Sequence, residues 1–404
     1  MSGIDPEHEF KGDPFFEIIH DGEWNATLGR QGHEENYLDG YIEAAIELAD
    51  AIVEKRLYGK RDTLILPILY NARHATELNI KFAYNKLVSS GAIQDGGLRI
   101  NHNISLYWQH LYESKIGDIE LRRIIDALKI FVQSMARIDS DGQELRYHIN
   151  SDNNRSLEKF ATVNLIIVQM NLRELKEHLH KIKLHTIRFV DERTTETFTN
   201  SCSRSDLMAI AKELPPRDQW ADPTFNDIKL LIKEKYGLSS RKLSEALDKI
   251  QKSRELSALI NIETPLLYLT DDDVIWVAEQ WRRLHPKRNN TNHNNERLIF
   301  NMKIDFSMMK ERSSILRDVT DSINKRICNK KISELETMFY LEINCPYPEF
   351  HDELTIRNAK NISICKNSAS TVKHLLEKTN FLENLSRSSM RLGRIKLAEK
   401  LKNI

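Results

Sequence analysis

The residues best suited to chemistry lie in one helical stretch, residues 64–87. It carries a row of charged and aromatic side chains, namely Tyr70, Arg73, His74, Glu77, Lys81 and Tyr84. Arg73, Glu77 and Lys81 are spaced so that a helix places them along one face. Because arginine and lysine bind anions and a neutral histidine accepts a proton, the row predicts a site for an anionic ligand or substrate.

The helix that must position this row is apolar over most of its circumference. At about 100° per residue, its apolar side chains cover roughly 200°, more than packing on one side requires. Charged groups on the narrow remaining arc of an enclosed helix are costly unless they are paired or used in function. The pattern therefore indicates either a buried ladder of ion pairs or a functional cleft, and both interpretations stay open.

Two further segments carry groups of the same kind. The loop at residues 145–150 contains Arg146 and His148, and His102 begins a short predicted helix. A loop of this composition that folds back beside the row would add a second arginine and a second histidine to the site.

Length and composition indicate a mostly helical protein of two or three domains. The chain has 404 residues, of which 40% are apolar and 29% charged, as in globular proteins. Only 14 glycines and 10 prolines argue against an all-β fold, which needs many turns. The formal net charge is zero, so any contact with nucleic acid or a membrane needs a local patch.

The cysteines predict neither a disulfide framework nor a zinc site. They are scattered at Cys202, Cys328, Cys345 and Cys365, with no CxxC pair and no histidine at zinc-ligand spacing. Free thiols are typical of a reducing compartment, and the sequence has no signal-like segment and no apolar run of about 18 residues. We expect a cytoplasmic protein with no membrane span, no metal and no cofactor.

Apolar periodicity predicts an all-α chain with two domains. Residues 1–12 read as a disordered tail or a vector-derived remnant, residues 191–205 as a linker, and residues 206–404 as a C-terminal helical domain. Residues 13–190 are predicted to form a bundle of four or five helices. Its helices are expected at residues 38–57, 64–87, 102–115, 117–138 and 156–187, the last with Asp152 and Asn153 as candidate caps.

The C-terminal domain shows the same helical periodicity. Helices are expected at residues 206–213, 224–236, 241–250 (extending toward 260), 271–284, 315–327, 333–341, 370–384 and 387–402. The last two read as a terminal hairpin. Residues 286–295 are expected to form an exposed polar loop, and residues 344–354 to be irregular.

Three other motifs have simple structural interpretations. The acidic run 271–273 follows Thr270 at a helix start, where acids cap free N–H groups rather than bind a metal. Residues 230–250 look like a helix-turn-helix, but an ordinary corner between two helices is the simpler interpretation. The basic run 387–402 is typical of a solvated face, although it could also bind RNA or an acidic partner.

The row, the short helix and the loop together resemble the HEPN-domain family. Residues 73–78 with Lys81 are similar to the second helix of that family, residues 102–106 to its short H-x-x-x-L segment, and residues 146–148 to the RYP-type turn before its last helix. The resemblance covers about residues 35–190. It implies a HEPN-like bundle that often dimerises, and frequently a metal-independent ribonuclease of bacterial toxin–antitoxin or antiphage systems.

The resemblance also implies roles for the candidate residues. In a ribonuclease, His74 or His148 would take the proton of a ribose 2′-hydroxyl, and Arg73 or Arg146 would stabilise charge on the phosphorane. Glu77 would orient one of the arginines. The substrate-binding candidates are Tyr70, Lys81 and His102.

The family's catalytic motif is matched only away from its expected place. Active members carry an arginine and, after four to six further residues, a histidine near the start of the last helix. At that place the chain has Arg146 and His148, which are too close together. Pairs at the family spacing are Arg173–His178, Arg173–His180 and Arg288–His293.

Two functions without catalysis stay open beside the ribonuclease. One is a helical sensor or adaptor whose charged row binds a protein partner or an anionic ligand in a defence complex. The other is an RNA-binding or scaffold protein that grips its ligand through residues 387–402. The expected partners are therefore an RNA substrate, a protein partner or antitoxin, and a second copy of the chain through the N-terminal bundle.

Overall fold

The structure, a computed structural model, describes residues 11–19, 22–29, 32–98, 102–150, 153–286, 306–365 and 368–404. Helices make up the fold, and these residues contain no strand beyond an isolated bridge between Ile149 and Arg155. The predicted all-α class is confirmed. Within the same residues, no helix combines the length and the apolarity that a bilayer crossing requires.

The described residues group into two compact units. The first contains the chain up to Ser114 together with Glu120–Ile187, and the second contains Lys115–Ile119 and Arg188–Ile404. Helices of the first part of the chain are Glu34–Glu54 (α1), Arg61–Ser89 (α2), Ile104–Glu113 (α3), Ile119–Ala127 (α4), Lys129–Ile138 (α5) and Leu165–Arg193 (α6). Contacts thus assign residues 115–119 to the second unit, although they lie between helices of the predicted bundle.

Helix α2 is the most enclosed element of the first unit, as its apolar pattern predicts. Ile68, Ala72, Ala75 and Leu87 are fully buried, and α1 packs along the helix. Polar contacts between α1 and α6 hold the other side of α1: Gln169 and Arg173 bind Asp50, Lys176 binds Glu43, and Lys183 binds Asp39. The charged row therefore lies on a helix that packs against both α1 and α3.

Two predicted helices of this unit differ in extent. The expected helix 117–138 is divided at Leu128 into α4 and α5. The expected helix 156–187 begins only at Leu165 and continues to Arg193. Leu157 has a φ of +58°, and its N–H donates to the Glu144 carboxylate at 2.8 Å, so its backbone is not helical.

The cap of α6 also differs from the prediction. Asn164 fills this role, because its side-chain oxygen accepts hydrogen bonds from the N–H groups of Ile166 and Ile167 at 3.0 and 3.2 Å. Asn153 has a φ of +58° and lies well before the helix. The other predicted cap, Asp152, lies outside the described residues, as do Arg288 and His293.

The helices of the second unit surround two apolar clusters, one formed by residues between 202 and 260 and the other by residues between 266 and 401. Its helices are Arg204–Glu213 (α7), Thr224–Tyr236 (α8), Ser240–Lys252 (α9), Arg254–Leu259 (α10), Asp271–Leu284 (α11), Phe306–Arg326 (α12), Asn329–Phe339 (α13), Leu341–Asn344 (α14), His351–Cys365 (α15), Ser368–Glu377 (α16), Phe381–Arg391 (α17) and Ile395–Asn403 (α18). Helix α15 was not predicted, because His351 falls in the stretch expected to be irregular.

The predicted terminal hairpin of two helices is wrong, since three helices occupy this region. The break before α18 falls at Gly393, which has a φ of +73°. A Cβ atom at this glycine would lie 2.6 Å from the carbonyl oxygen of Arg254, so only glycine allows this approach. The apolar periodicity continues across the break and therefore hides it.

The acidic run at the start of α11 has the predicted structural role. Thr270 and Asp273 form a reciprocal capping box, in which each side chain accepts a hydrogen bond from the other residue's backbone N–H. Asp273 also pairs with Lys331 at 2.6 Å, and Asp271 with Arg394 at 2.6 Å. These carboxylates are occupied within the fold.

Candidate anion-binding site

The inner part of the charged row is a buried network centred on Arg73, which is 1% exposed. Its Nη1 donates to Glu77 at 2.6 Å, one helical turn along α2. Its remaining donors reach backbone carbonyl oxygens in two other segments: Asp139 at 2.8 Å, His102 at 2.9 Å and Ser140 at 3.3 Å. Arg73 therefore joins α2 to the start of α3 and to the turn after α5.

The turn after α5 is organised by a buried carboxylate that sequence analysis did not single out. Asp139 is 0% exposed and lies 3.7 Å from Nε of Arg73. It accepts hydrogen bonds from the N–H groups of Gly142 at 2.7 Å and of Glu144 and Leu145, both at 3.3 Å. The sequence signal was Asp-Ser-Asp-Gly, which predicts the end of a helix but not an ion pair with α2.

Gly142 places a second arginine beside the first. It has a φ of +86°, and a Cβ atom there would lie 3.3 Å from Nη1 of Arg73 and 3.5 Å from Nη2 of Arg146. The Arg146 guanidinium donates to the Gly142 carbonyl oxygen and lies over the Tyr147 ring, 5.4 Å from its centroid. Unlike Arg73, Arg146 is exposed. The two guanidinium groups thus converge on one glycine.

Glu77 balances part of this charge. It is 4% exposed and binds Arg73, Lys81 at 2.6 Å and Nδ1 of His102 at 2.8 Å. Burial alone would raise the pKa of its carboxyl group, but hydrogen bonds from Lys81, Arg73 and His102 outweigh burial and lower the pKa to about 2. Glu77 is therefore ionised throughout the physiological range.

His74 lies at the edge of the network among aromatic rings. It is half-buried, stacks on Tyr70 at a centroid distance of 5.7 Å and meets Tyr41 edge-on at 4.4 Å. Burial lowers the pKa of its imidazole, and the nearby charges of Arg73, Lys81 and Arg146 lower it further against the opposing effect of Glu77. His74 is consequently a neutral imidazole at neutral pH.

The predicted site residues therefore comprise a contact network, the side chains that adjoin it, and His148. Arg73, Glu77, Lys81 and His102 form one contact network, with Arg146 adjoining it at Gly142 and His74 with Tyr70 at its edge. His148 is exposed, and no hydrogen bond or ion pair in the described part of the chain joins its imidazole to the network. Its carbonyl oxygen accepts a hydrogen bond from the N–H of Ser156 at 2.9 Å.

The charged row has a buried part and an exposed part. Arg73 and Glu77 form the buried ladder, whereas Arg146 is exposed and the side chains of Lys81 and His102 are 20% and 69% exposed. Arg73 and Lys81 pair with the carboxylates of Glu77 and Asp139, and Arg146 lies beside Arg73 at Gly142, so these five side chains together carry a net charge of +1. A net positive charge beside exposed cations favours the binding of an anion.

Comparisons of the chain with protein-family models, with curated proteins and with solved structures each gave no match. Among the residues that the structure describes, no group of three or more His, Cys, Asp or Glu side chains is arranged to hold a metal ion. The chemistry of the site therefore has to be inferred from its own side chains.

Proposed function

We propose that the first unit binds a phosphate group of single-stranded RNA at the rim formed by Arg146, Lys81 and His102. The observation that supports this proposal most directly is the position of Arg146. It is exposed, it is held at Gly142 beside the buried Arg73, and it has no carboxylate partner among the described residues. An arginine fixed in this way is pre-organised for the oxygens of a phosphate.

The surroundings of Arg146 favour RNA over a simple anion. Tyr41, Tyr70 and His74 form an aromatic cluster at the edge of the network, and Tyr147, beside Arg146, is 54% exposed. Proteins bind single-stranded RNA by combining backbone cations with rings on which bases stack. The resemblance of residues 35–190 to HEPN proteins supports the same class of ligand.

Metal-independent cleavage of the bound RNA is the second candidate function, favoured by the lowered pKa of His74. A neutral His74 would take the proton of a ribose 2′-hydroxyl, whose oxygen attacks the adjacent phosphorus. The bond from phosphorus to the 5′-oxygen breaks, a 2′,3′-cyclic phosphate forms, and the departing oxygen takes a proton from water. Arg146 would stabilise charge on the phosphorane.

Binding is preferred over cleavage because two of the predicted catalytic residues already have structural partners. Arg73 donates to Glu77 and to three backbone carbonyl groups, and Glu77 accepts from three side chains. Neither side chain is available without disrupting the fold. His148, the alternative proton acceptor, is exposed, and no hydrogen bond or ion pair among the described residues joins its imidazole to this network.

The basic C-terminal run is a weaker RNA site than its sequence indicates. Arg387 pairs with Glu383 and Glu342, and Arg394 pairs with Glu263 and Asp271. Arg391 donates to the carbonyl groups of residues 345 and 346. Because these arginines bind within the fold, they do not form a continuous row of free cations.

RNA binding is tested by fluorescence anisotropy with a labelled single-stranded RNA, using wild type, Arg146→Ala and Arg123→Ala. Arg123 is a matched control because it lies on α4 and its side chain is 70% exposed. We expect affinity to fall with salt and Arg146→Ala to weaken binding by about tenfold, with Arg123→Ala unchanged. No binding by wild type, or equal binding by all three proteins, would contradict the proposal.

Cleavage is tested separately with unmodified RNA and fully 2′-O-methylated RNA in the presence of EDTA. We expect a ribonuclease to bind both and to cut only the first, giving cyclic phosphate ends, and His74→Gln to bind without cutting. If the RNA binds but remains intact, the ribonuclease is excluded and the non-catalytic adaptor is favoured. A role in toxin–antitoxin or antiphage defence rests on the family resemblance, and it predicts that expression of wild type, but not of Arg146→Ala, inhibits cell growth.

A further inference from the structure

An apolar groove opens on the first unit, away from the charged network. It has a volume of about 450 Å³ and lies between α5 and the start of α6, with one residue of α2 at its base. Its lining includes Leu69, Phe131, Met135, Val163, Ile167 and Leu172. Several large apolar side chains at or beside it are strongly exposed: Ile130 at 62%, Ile167 at 60% and Met170 at 64%.

The same unit carries a second exposed apolar surface, an N-terminal arm formed by residues 11–19. Phe15 is 87% exposed, Ile19 71% and Ile18 52%. The Asp13 carboxylate accepts hydrogen bonds from the N–H groups of Phe15 and Phe16, both at 2.9 Å, and so fixes a local turn. A short segment with four large apolar side chains exposed to water, the fourth being Phe16 at 52%, is unusual unless it contacts another surface.

The arm precedes α1 in the chain, and the groove lies beside the C-terminal part of α1. The arm leads into α1 at Glu34, whereas Asp50, near the other end, binds Gln169 and Arg173 of α6 beside the groove lining. Sixteen helical residues separate Glu34 from Asp50, a distance of about 24 Å. The chain between Ile19 and Glu34 is long enough to span this distance at about 3.3 Å per residue. Nevertheless, within one chain both surfaces remain exposed.

We infer that two copies of this chain exchange their arms, so that Phe15, Ile18 and Ile19 of one copy occupy the α5–α6 groove of the other. Each chain supplies one arm and one groove, so a two-fold pair satisfies both surfaces twice and leaves none for a third copy. Both contacts bury apolar surface, which is the main driving force for such exchange. The inference is independent of RNA binding, because neither surface includes the charged network.

The association is tested with the full chain by sedimentation velocity between about 1 and 100 µM, a range suited to weak and moderate dimers. We expect a shift from the 47.1 kDa chain to twice that mass as concentration rises. Ile19→Glu in the arm and Ile167→Glu in the groove should each weaken association at least tenfold. Leu231→Glu is the matched control, because Leu231 is also a strongly exposed apolar residue (65%) but lies on α8 of the second unit.

A crosslinking experiment distinguishes exchange from docking of an arm on its own chain. Phe15→p-benzoylphenylalanine is introduced, ¹⁴N and ¹⁵N copies are mixed, and crosslinked peptides are analysed by mass spectrometry. We expect mixed-isotope crosslinks from position 15 to the α5–α6 groove. Crosslinks confined to one isotope, a monomer at all concentrations, or a dimer that both glutamate variants retain would overturn the inference.

Discussion

Nε of Arg73 donates a 2.8 Å hydrogen bond to the carbonyl oxygen of Asp139, which lies 66 residues further along the chain. The same guanidinium reaches the carbonyl groups of His102 and Ser140. One buried side chain therefore fixes three segments that are distant in sequence. The arrangement makes Arg73 a structural residue, and it presents Arg146 on the outside of the same turn.

We predict that Arg73→Ala destabilises the protein by about 3–5 kcal/mol, because it leaves buried carboxylates and carbonyl groups without their donor. Arg73→Lys should recover only part of this loss, since an ammonium group cannot reproduce the spread of guanidinium donors. Urea unfolding monitored by circular dichroism measures both effects.

Arg146→Ala provides the comparison for that prediction. The Arg146 side chain is exposed, so the substitution should lower the unfolding free energy by less than about 1 kcal/mol. Equal losses for the Arg73 and Arg146 variants would show that the buried network is not the principal role of Arg73.

Sequence analysis located the charged row but not the partners that bury it. The four-residue spacing of Arg73, Glu77 and Lys81 fixes their common helix face, so this local relationship was predictable. The contacts of Arg73 with Asp139 depend on how a distant turn folds back, and periodicity contains no such information. The same holds for His148, whose exposure depends on the path of the loop that follows the Asp139 turn.

Several predicted helix boundaries were wrong for a related reason. Apolar periodicity predicted the all-α class and most helices, but it continued through the breaks at Leu128 and Gly393. At Gly393, the determining fact is the close approach of the Arg254 carbonyl, which is a tertiary contact. Helix α15 was missed because the two prolines before His351 suggested an irregular segment, whereas they precede its first turn.

Glu77 should make the protein sensitive to strong acid. Its pKa of about 2 in the fold lies below the ordinary value of 4.5, so ionisation favours the folded state. This stabilisation is complete above pH 4.5 and is lost as pH falls through about 2; it amounts to at most about 3 kcal/mol. In Glu77→Gln, unfolding free energy should be lower at pH 7 and depend less on pH between 4.5 and 2.

Urea unfolding at several pH values measures this slope. Glu43→Gln is a control on the adjacent helix α1, because the Glu43 side chain is 55% exposed. If Glu77→Gln retained the wild-type slope between pH 4.5 and 2, the assignment of that slope to Glu77 would be wrong.

The pKa of His74 should depend on the charge of Arg146. Burial and the neighbouring cations lower the pKa of His74, and Arg146 is one of those cations. We therefore expect the pKa of His74 to lie below 6.5 in wild type and to rise in Arg146→Ala, because one source of repulsion for the imidazolium is removed. NMR titration of the imidazole Cε1–H resonance, assigned with His74→Gln, measures both values.

Bound phosphate provides an independent check on this prediction. A phosphate at Arg146 would add negative charge near His74 and should raise the same pKa. The Arg123→Ala variant should leave the titration unchanged. An unshifted His74 resonance in Arg146→Ala would place that guanidinium too far away to share a ligand with the imidazole.

A buried carboxylate pair in the second unit should make stability decrease as pH rises through the weakly acidic range. Asp206 and Asp118 are 8% and 2% exposed, and the N–H of Ile119 donates to Asp206 at 3.2 Å. Burial, and then repulsion by Asp118, raise the pKa of Asp206 from 3.8 to about 6. The folded state therefore favours the protonated acid, and stability is lost between about pH 4 and 6.

Asp118→Asn removes the repulsion while preserving the shape of the side chain. We expect it to raise the unfolding free energy by about 1 kcal/mol at pH 7.5 relative to its effect at pH 4, where Asp206 is largely protonated in the folded state. Asp126→Asn, at an exposed position of α4, should show no such pH difference. Urea unfolding at the two pH values measures the change, and an identical effect of Asp118→Asn at both would show that the two carboxylates do not interact.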